Sequence, residues 1–252
     1  MNDAKDFEEI SVSLHSETVP VIRRMVNGRL FCIAAVNGRT RVWAERFHEI
    51  EPEFLDWCDQ LRTSDVVWDI GAPIGHFPAF AALKSGAKVY AFEPEALNYG
   101  QCALNHYLNF EQLKDRMVPL GFCIANRSGL HDMVIQLYGA GEHTKCIRPD
   151  ADTYKVPVLF LGLHEILAMG VDPPSAIKID VDGSESEVIS ALAPIWPEVS
   201  SAFIELPLHL IDEVVETLSQ FGLRLKSQHK VVRLSGGYYD DIANIVFARP
   251  AY

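Results

Sequence analysis

The hydrophobic positions of this chain change rhythm near residue 62. Before it, residues 30–36 form an apolar run, Asn37-Gly38 is a dipeptide suited to a tight turn, and residues 40–43 alternate, which predicts a hairpin. Glu51-Pro52-Glu53 then opens a short helical pattern with Phe54, Leu55, Trp57, Cys58 and Leu61 on one side. Proline is favourable just inside a helix start, because its missing N–H would be unpaired there anyway. From Asp65 the pattern becomes strand, helix, strand, helix. Residues 66–70 read as a strand, followed by Gly71, Gly75 and a helix marked by Phe77, Phe80, Ala81 and Leu83. Residues 88–92 give a second strand, residues 95–109 a helix, and residues 117–124 a third strand. Residues 130–163 are irregular apart from one alternating strand at 133–138 and a Gly-rich turn at 139–141. Residues 177–181 and 201–206 are further strands. Between them lies a helix at 184–192, whose Ser184 and Glu187 have capping-box spacing. A well-patterned helix at 210–221 precedes two strands at 223–226 and 242–248. These leave no room for a helix between them and predict an antiparallel hairpin.

Alternating elements of these lengths predict an α/β fold with a doubly wound parallel sheet and a closing antiparallel hairpin. The expected organisation is an accessory hairpin and helix over residues 1–62 and a ligand-binding domain over residues 63–252. Composition narrows the class. The chain has 252 residues with a formal net charge of −12, which gives no electrostatic reason to hold a phosphate backbone and argues against nucleic acid. No apolar run reaches the ~20 residues of a spanning helix, and the first ten residues are acidic where a signal peptide is basic. Five widely spaced cysteines without a CxxC suggest reduced thiols and a cytoplasmic protein. Oligomeric state is not legible in these patterns.

Ligands of doubly wound sheets sit beyond the carboxyl ends of the strands, near the reversal in strand order. That selects Asp69 to Gly75, Glu93, Gly121 to Cys123, Asp180 to Gly183 and Glu205. In the first loop, Asp69, Gly71, Ala72, Gly75 and His76 are the candidate ligand contacts, with glycines allowing close backbone approach. An acid two positions before the first glycine suits an ammonium and repels a pyrophosphate. Glu93, 24 residues later, could accept both hydrogen bonds of a ribose diol. The loop carries two acids and no Lys or Arg, which favours S-adenosyl-L-methionine over a dinucleotide. Each acid alone has a plainer reading as a solvated strand end.

Residues 66–109, VVWDIGAPIGHFPAFAALKSGAKVYAFEPEALNYGQCALNHYLN, resemble the opening of the FkbM-type methyltransferases, with their DxGANxG and AFEPxxxNxxxLxxN motifs. Residues 176–185, AIKIDVDGSE, are similar to the family's IKxDVEGxE, and Glu51-Pro52-Glu53 and Phe203-Ile204-Glu205 also fit. The resemblance implies a seven-stranded class I methyltransferase fold, S-adenosyl-L-methionine as cofactor, and methylation of a hydroxyl on a sugar or natural product. It also suggests Phe122 and Cys123 as adenine contacts, although either has a core reading too. Three positions depart from the family pattern: Pro73 stands for Asn, Asp182 for Glu, and His164 for the first Asp of a Leu-Asp-Asp-like segment.

A sugar-like hydroxyl is a poor nucleophile, so a general base should assist. Lys178 and Asp180 share a strand face. The expectation is that Asp180 lies near the methionine end of the donor, while Asp182 or Glu205 serves the acceptor. Lys178 is expected to pair with one of these acids. No His/Asp set has metal-ligand spacing, so no metal is expected. His143, Ser184 and the Tyr238-Tyr239 pair are weaker candidates with ordinary structural readings. The acceptor is expected to be a small molecule or carbohydrate. The rival readings are a nicotinamide-linked oxidoreductase and a non-catalytic methyltransferase-like module that binds the nucleoside or supports a partner.

Overall fold

A computed structural model of the chain describes residues 7–15, 17–135, 139–142, 145–146, 154–233 and 237–250. The chain begins with an antiparallel sheet of β1 (Glu8–Leu14), β2 (Glu17–Val26) and β3 (Arg29–Ala34), followed by α1 (Gly38–Glu45), α2 (Phe47–Ile50) and α3 (Pro52–Cys58). The hairpin expected at Asn37-Gly38 is not formed. The Asn37 side chain accepts the Thr40 N–H at 2.8 Å, and the Thr40 hydroxyl accepts the Asn37 N–H at 3.0 Å, so this dipeptide starts a helix. Thr40, Trp43 and Ala44 are buried at helical spacing, and the apolar run before them pairs back onto β2.

The main domain then runs through β4 (Val66–Ile70), α4 (His76–Ser85), β5 (Lys88–Phe92), α5 (Ala96–Leu108), α6 (Phe110–Leu113) and β6 (Met117–Leu120). The expected third strand breaks at Gly121-Phe122. β7 (Cys123–Ile124) leaves the main sheet and joins β8 (Gly129–Ile135), β9 (Lys145–Cys146) and β10 (Tyr154–Leu161) in a four-stranded sheet. Thus the stretch read as irregular carries real strands, and α7 (Leu163–Ala168), an element not expected, follows it. His143 and the end of the strand expected to reach Tyr138 lie outside the described residues. After β11 (Ala176–Ile179) come α8 (Glu185–Ala191), β12 (Ser201–Pro207), α9 (Ile211–Gln220), β13 (Arg224–Val232) and β14 (Tyr238–Ala248). Ser184 precedes α8 without capping it through its side chain. Its backbone (φ −115°, ψ 14°) lacks the extended N-cap conformation, and the Glu185 carboxylate accepts the Gly183 N–H at 2.8 Å instead.

The large sheet has the order β13-β14-β12-β11-β4-β5-β6. It is a seven-stranded, mostly parallel sheet with β14 antiparallel to its neighbours. Strand order reverses between β4 and β11, and the loops after these strands meet there. The sheet has a buried cluster on each face. Trp68, Ile177, Ala202 and Phe247 belong to one, with Val188 and Leu218 from α8 and α9. Val67, Ala176, Phe203 and Val246 belong to the other, together with Phe54 and Trp57 of α3 and Phe77 of α4. Ring centroids of Phe54 lie 4.8 Å from Phe77 and 5.5 Å from Phe203. Each such buried aromatic contributes about 2–3 kcal/mol. α3 is thereby fixed over the sheet, and the acids at its start are held near the strand ends. Among the described residues no helix is long and apolar enough to cross a membrane.

Candidate active site

Gly71 is the pivot of the first loop. Its φ is +87°, and a Cβ there would lie 1.8 Å from the Asp180 carbonyl oxygen, so only glycine lets the loops after β4 and β11 touch. The Gly71 and Ala72 N–H groups both donate to the Phe92 carbonyl, at 3.0 and 3.1 Å, which ties this loop to the end of β5. Gly75 (φ +75°) presses α4 against Cys102 of α5, where a Cβ would meet Sγ at 2.5 Å.

These contacts leave an open cleft beyond the strand ends. The loop after β4 contributes Gly71 and Pro73 to its lining, and the end of β5 contributes Glu93. Phe122 and Cys123 follow β6, and Asp180 and Asp182 follow β11. Glu93 is buried, its N–H donates to the Leu120 carbonyl at 3.0 Å, and its carboxylate accepts the Glu95 N–H at 2.9 Å. Glu95 in turn caps α5 by accepting from Leu97 and Asn98. Asn98 and Glu142 also line the cleft, and residues 139–142 are tied down on two sides. Asn98 Oδ1 accepts the Gly141 N–H at 2.8 Å and its Nδ2 donates to the Glu142 carbonyl at 3.3 Å. From α1 and its cap, Asn37 Nδ2 donates to the Ala140 carbonyl at 3.0 Å and Arg39 Nε to the Gly141 carbonyl at 3.3 Å.

Beside the cleft, on the face covered by α3, lies a buried acidic group around one lysine. Asp69 and Lys178 are partners in the β4–β11 register, and Lys178 is level with Phe203 of β12. Lys178 Nζ is 2.8 Å from Asp180 Oδ2 and 3.8 Å from Asp69 Oδ1, and sits 5.3 Å from the centre of the Phe77 ring. The expected pairing of Lys178 with a neighbouring acid is therefore present. Neither Asp69 oxygen has a hydrogen-bond partner among the described residues. Burial pushes the Asp69 carboxyl up to about 7, with Lys178 opposing the rise and Asp180 adding to it. Burial likewise pushes Glu51 up to about 8, again against Lys178. Glu205 lies well above the usual carboxylate range, through burial first and the nearby charges of Asp180 and Glu51 next. Across the β12–β14 register from Glu205 is Asn244, whose Nδ2 donates to Glu53 at 2.6 Å.

Of the sequence candidates, Gly71, Glu93, Phe122, Cys123, Asp180 and Asp182 come together at the cleft. Asp69, Ala72, Gly75 and His76 are buried behind it, His76 among Trp43, Phe47 and Phe77 with ring centroids 4.1–5.8 Å away. Glu205 stands apart from the cleft lining, within the electrostatic reach of Asp180 and Asp182. His164 is exposed on α7. Sequence reasoning did not select Glu51, Glu53, Asn98 or Glu142. For the first two a signal existed, since two acids flanking a proline at a helix start are more than a helix needs. Among the described residues no group of His, Cys, Asp and Glu has the arrangement of a metal site.

The lining fits a nucleoside carrying an amino acid and no phosphate. A buried acid stands at the second strand end, Phe92, Phe122 and Val188 offer apolar surface, and no Lys or Arg lines the cleft among the described residues. Hexuronic acid methyltransferase AglP of Haloferax volcanii is 24% identical over 149 residues, 59% of this chain and 58% of that protein's length. The 31-O-demethyl-FK506 methyltransferase FkbM of Streptomyces tacrolimicus is 26% identical over 200 residues, covering 67% of this chain and 76% of that protein. Among solved structures, the precorrin-6y C5,15-methyltransferase of Geobacter metallireducens aligns with a TM-score of 0.49 at 13% identity, over 79% of this chain and 86% of that one. Residues 69–225, more than half of the chain, match the methyltransferase FkbM domain; the chain belongs to that family, with S-adenosylmethionine as its cofactor.

Proposed function

We propose that this chain transfers the methyl group of S-adenosylmethionine to a hydroxyl oxygen of a small-molecule or carbohydrate acceptor. The observation that carries the reading is that a single cleft includes Glu93 at one strand end and Asp180 and Asp182 at another, beside a face rich in carboxyl groups. When bound, S-adenosylmethionine supplies an electrophilic methyl group on a sulfonium. Glu93 would hold the ribose diol, Phe122 and Cys123 the adenine, and the backbone at Gly71 the methionine portion. Asp69 acts one layer back, through Lys178, and keeps the Asp180 carboxylate oriented.

For the acceptor, Asp182 or Glu205 takes up the hydroxyl proton as the oxygen becomes nucleophilic. Burial holds Glu205 protonated to higher pH than an ordinary carboxyl, so its basic form, and with it the rate, rises with pH above the usual carboxylate range. Lys178 stabilises negative charge that collects on Asp180 and does not itself exchange the proton. Positioning of the acceptor oxygen in line with the transferred carbon supplies much of the remaining acceleration. A relative that acts on 31-O-demethyl-FK506 supports an oxygen acceptor, and one that acts on a hexuronic acid supports a carbohydrate. The net charge of −12 supports an acceptor that is not a nucleic acid.

The test has two stages. Calorimetric titration with S-adenosylhomocysteine on the wild type and Glu93→Ala measures the donor site. Transfer of label from methyl-labelled donor is then followed for the wild type, Asp182→Asn and Glu205→Gln. Donor binding with transfer lost in either acid variant supports the assignment. Wild-type transfer rates in both acid variants would refute it.

A further inference from the structure

Glu51 has no task in the steps above, yet its position is costly. It is 4% exposed and its Oε2 accepts no hydrogen bond among the described residues, so the carboxyl has left water without full compensation. It acts electrostatically on Lys178, Asp180, Asp69 and Glu205, so it faces the same acidic group from the α3 side. The cation acting on these acids, Lys178, is already engaged by Asp180 at 2.8 Å. The group is reachable from solvent at the strand ends, where the Asp180 side chain is 20% exposed and Asp182 is exposed.

A ligand that completes this surface must bring hydrogen-bond donors and no negative charge. We infer that the acceptor is an uncharged polyol whose hydroxyl groups hydrogen-bond with Glu51 and Glu205, and that uronates and other anionic sugars are excluded from the site. This rests on the methyl-transfer reading above and specifies its acceptor. The discrimination is large. A carboxylate about 5 Å from a single ionised member of this group, at an effective dielectric of about 20, binds roughly 200-fold more weakly than its neutral counterpart. A carboxyl such as Glu51, pushed up to about 8 by burial, is mostly protonated near neutrality and donates to a hydroxyl, and once ionised accepts from one. Either way the contact rewards a polyol.

The experiment incubates the full chain with methyl-labelled S-adenosylmethionine and the polar metabolite extract of a cell lysate, and separates products on anion- and cation-exchange columns. Label passing both columns is the expected result. Label retained on the anion exchanger means an anionic acceptor and overturns the inference while leaving methyl transfer intact. Label retained on the cation exchanger overturns the uncharged assignment in the same way. No labelled product, with S-adenosylhomocysteine still bound in calorimetry, overturns the methyl-transfer reading itself. With the labelled neutral acceptor in hand, Glu51→Gln raises KM at least tenfold and leaves S-adenosylhomocysteine affinity within twofold. An unchanged KM would remove Glu51 from the acceptor site.

Discussion

Replacing Lys178 by methionine asks how much one buried ammonium holds together. The substitution keeps an unbranched side chain and deletes the charge at a position with 0% exposure, 2.8 Å from Asp180 and 3.8 Å from Asp69. Removing one partner of a buried pair costs ~3–5 kcal/mol, because the other charge stays buried. The cost depends on pH with a definite sign. Folded Asp69 and Glu51 titrate near about 7 and about 8, against ordinary values of 3.8 and 4.5. Between those limits the folded state binds more protons than the unfolded chain. Wild-type stability therefore falls as pH rises from about 4 to 8, by up to ~1.4 kcal/mol per pH unit for each group. Without Lys178 the carboxyls rise further, since its attraction is what lowers them. At pH 5.5 protonated acids need little counter-charge and the variant loses only about 1–2 kcal/mol; at pH 8 it loses the full ~3–5 kcal/mol. Urea unfolding at both pH values, followed by fluorescence of the buried Trp57, Trp68 and Trp196, measures this. Adding Asp69→Leu to the variant recovers stability at pH 8. A loss that is equal at the two pH values, or greater at pH 5.5, would refute the electrostatic reasoning.

Three more outcomes follow from the same geometry. Glu93→Ala weakens S-adenosylhomocysteine binding by about 10–100-fold in calorimetry, the worth of charge-assisted hydrogen bonds to a diol, and a change under threefold would remove Glu93 from the donor site. Pro73→Asn changes that affinity less than threefold, because the loop is held by the Gly71 and Ala72 N–H groups on the Phe92 carbonyl and not through residue 73. A tenfold gain would show that proline impairs the loop. Asp182, whose φ is +26°, sits in a left-handed conformation at the cleft mouth. Asp182→Gly keeps or raises thermal stability, by up to ~1 kcal/mol as strain is relieved, while methyl transfer falls tenfold or more where Asp182, and not Glu205, takes the proton. A destabilised but fully active variant would contradict both halves of that statement.

Much of this could be read from the chain because the parallel strands are short and apolar, and glycines follow β4 and β6 directly. The loop from Asp69 to Gly75 and the acids Glu93 and Asp180 fell at strand ends, where the topology rule looks. Failures came where two local codes compete. Asn37-Gly38 suits a type I′ turn as well as a helix cap, and only burial of Thr40, Trp43 and Ala44 together decides between them. β10 escaped notice because Pro157 lies inside it. Pro157 pairs only toward β8, since β7 reaches no further than Phe160 and Leu161, and a strand with one open side tolerates the missing donor. Ser184 had the spacing of a cap and the wrong backbone, which spacing cannot reveal. Glu51 and Glu53 were recognised as a helix start, but their approach to Lys178 and Asn244 depends on how α3 docks across the sheet, a contact spanning 191 residues for Glu53 and Asn244.

The tethering of residues 139–142 by Asn37 and Arg39 means that the stretch shared with the family and the part able to work have different borders. The family match begins at residue 69 and ends at 225, whereas Glu51, Glu53 and the two tethers precede it and Asn244 on β14 follows it. A chain trimmed to the matched stretch would keep Gly71, Glu93 and Asp180. It would lose the tie between α1 and the cleft, the α3 carboxyls and the strand that pairs with β12. Kinship measured over that stretch speaks for a common donor. In this chain the residues proposed to meet the acceptor lie on both sides of that border, Glu51 before it and Glu205 within it, so likeness over the matched stretch alone does not carry an acceptor from one protein to another.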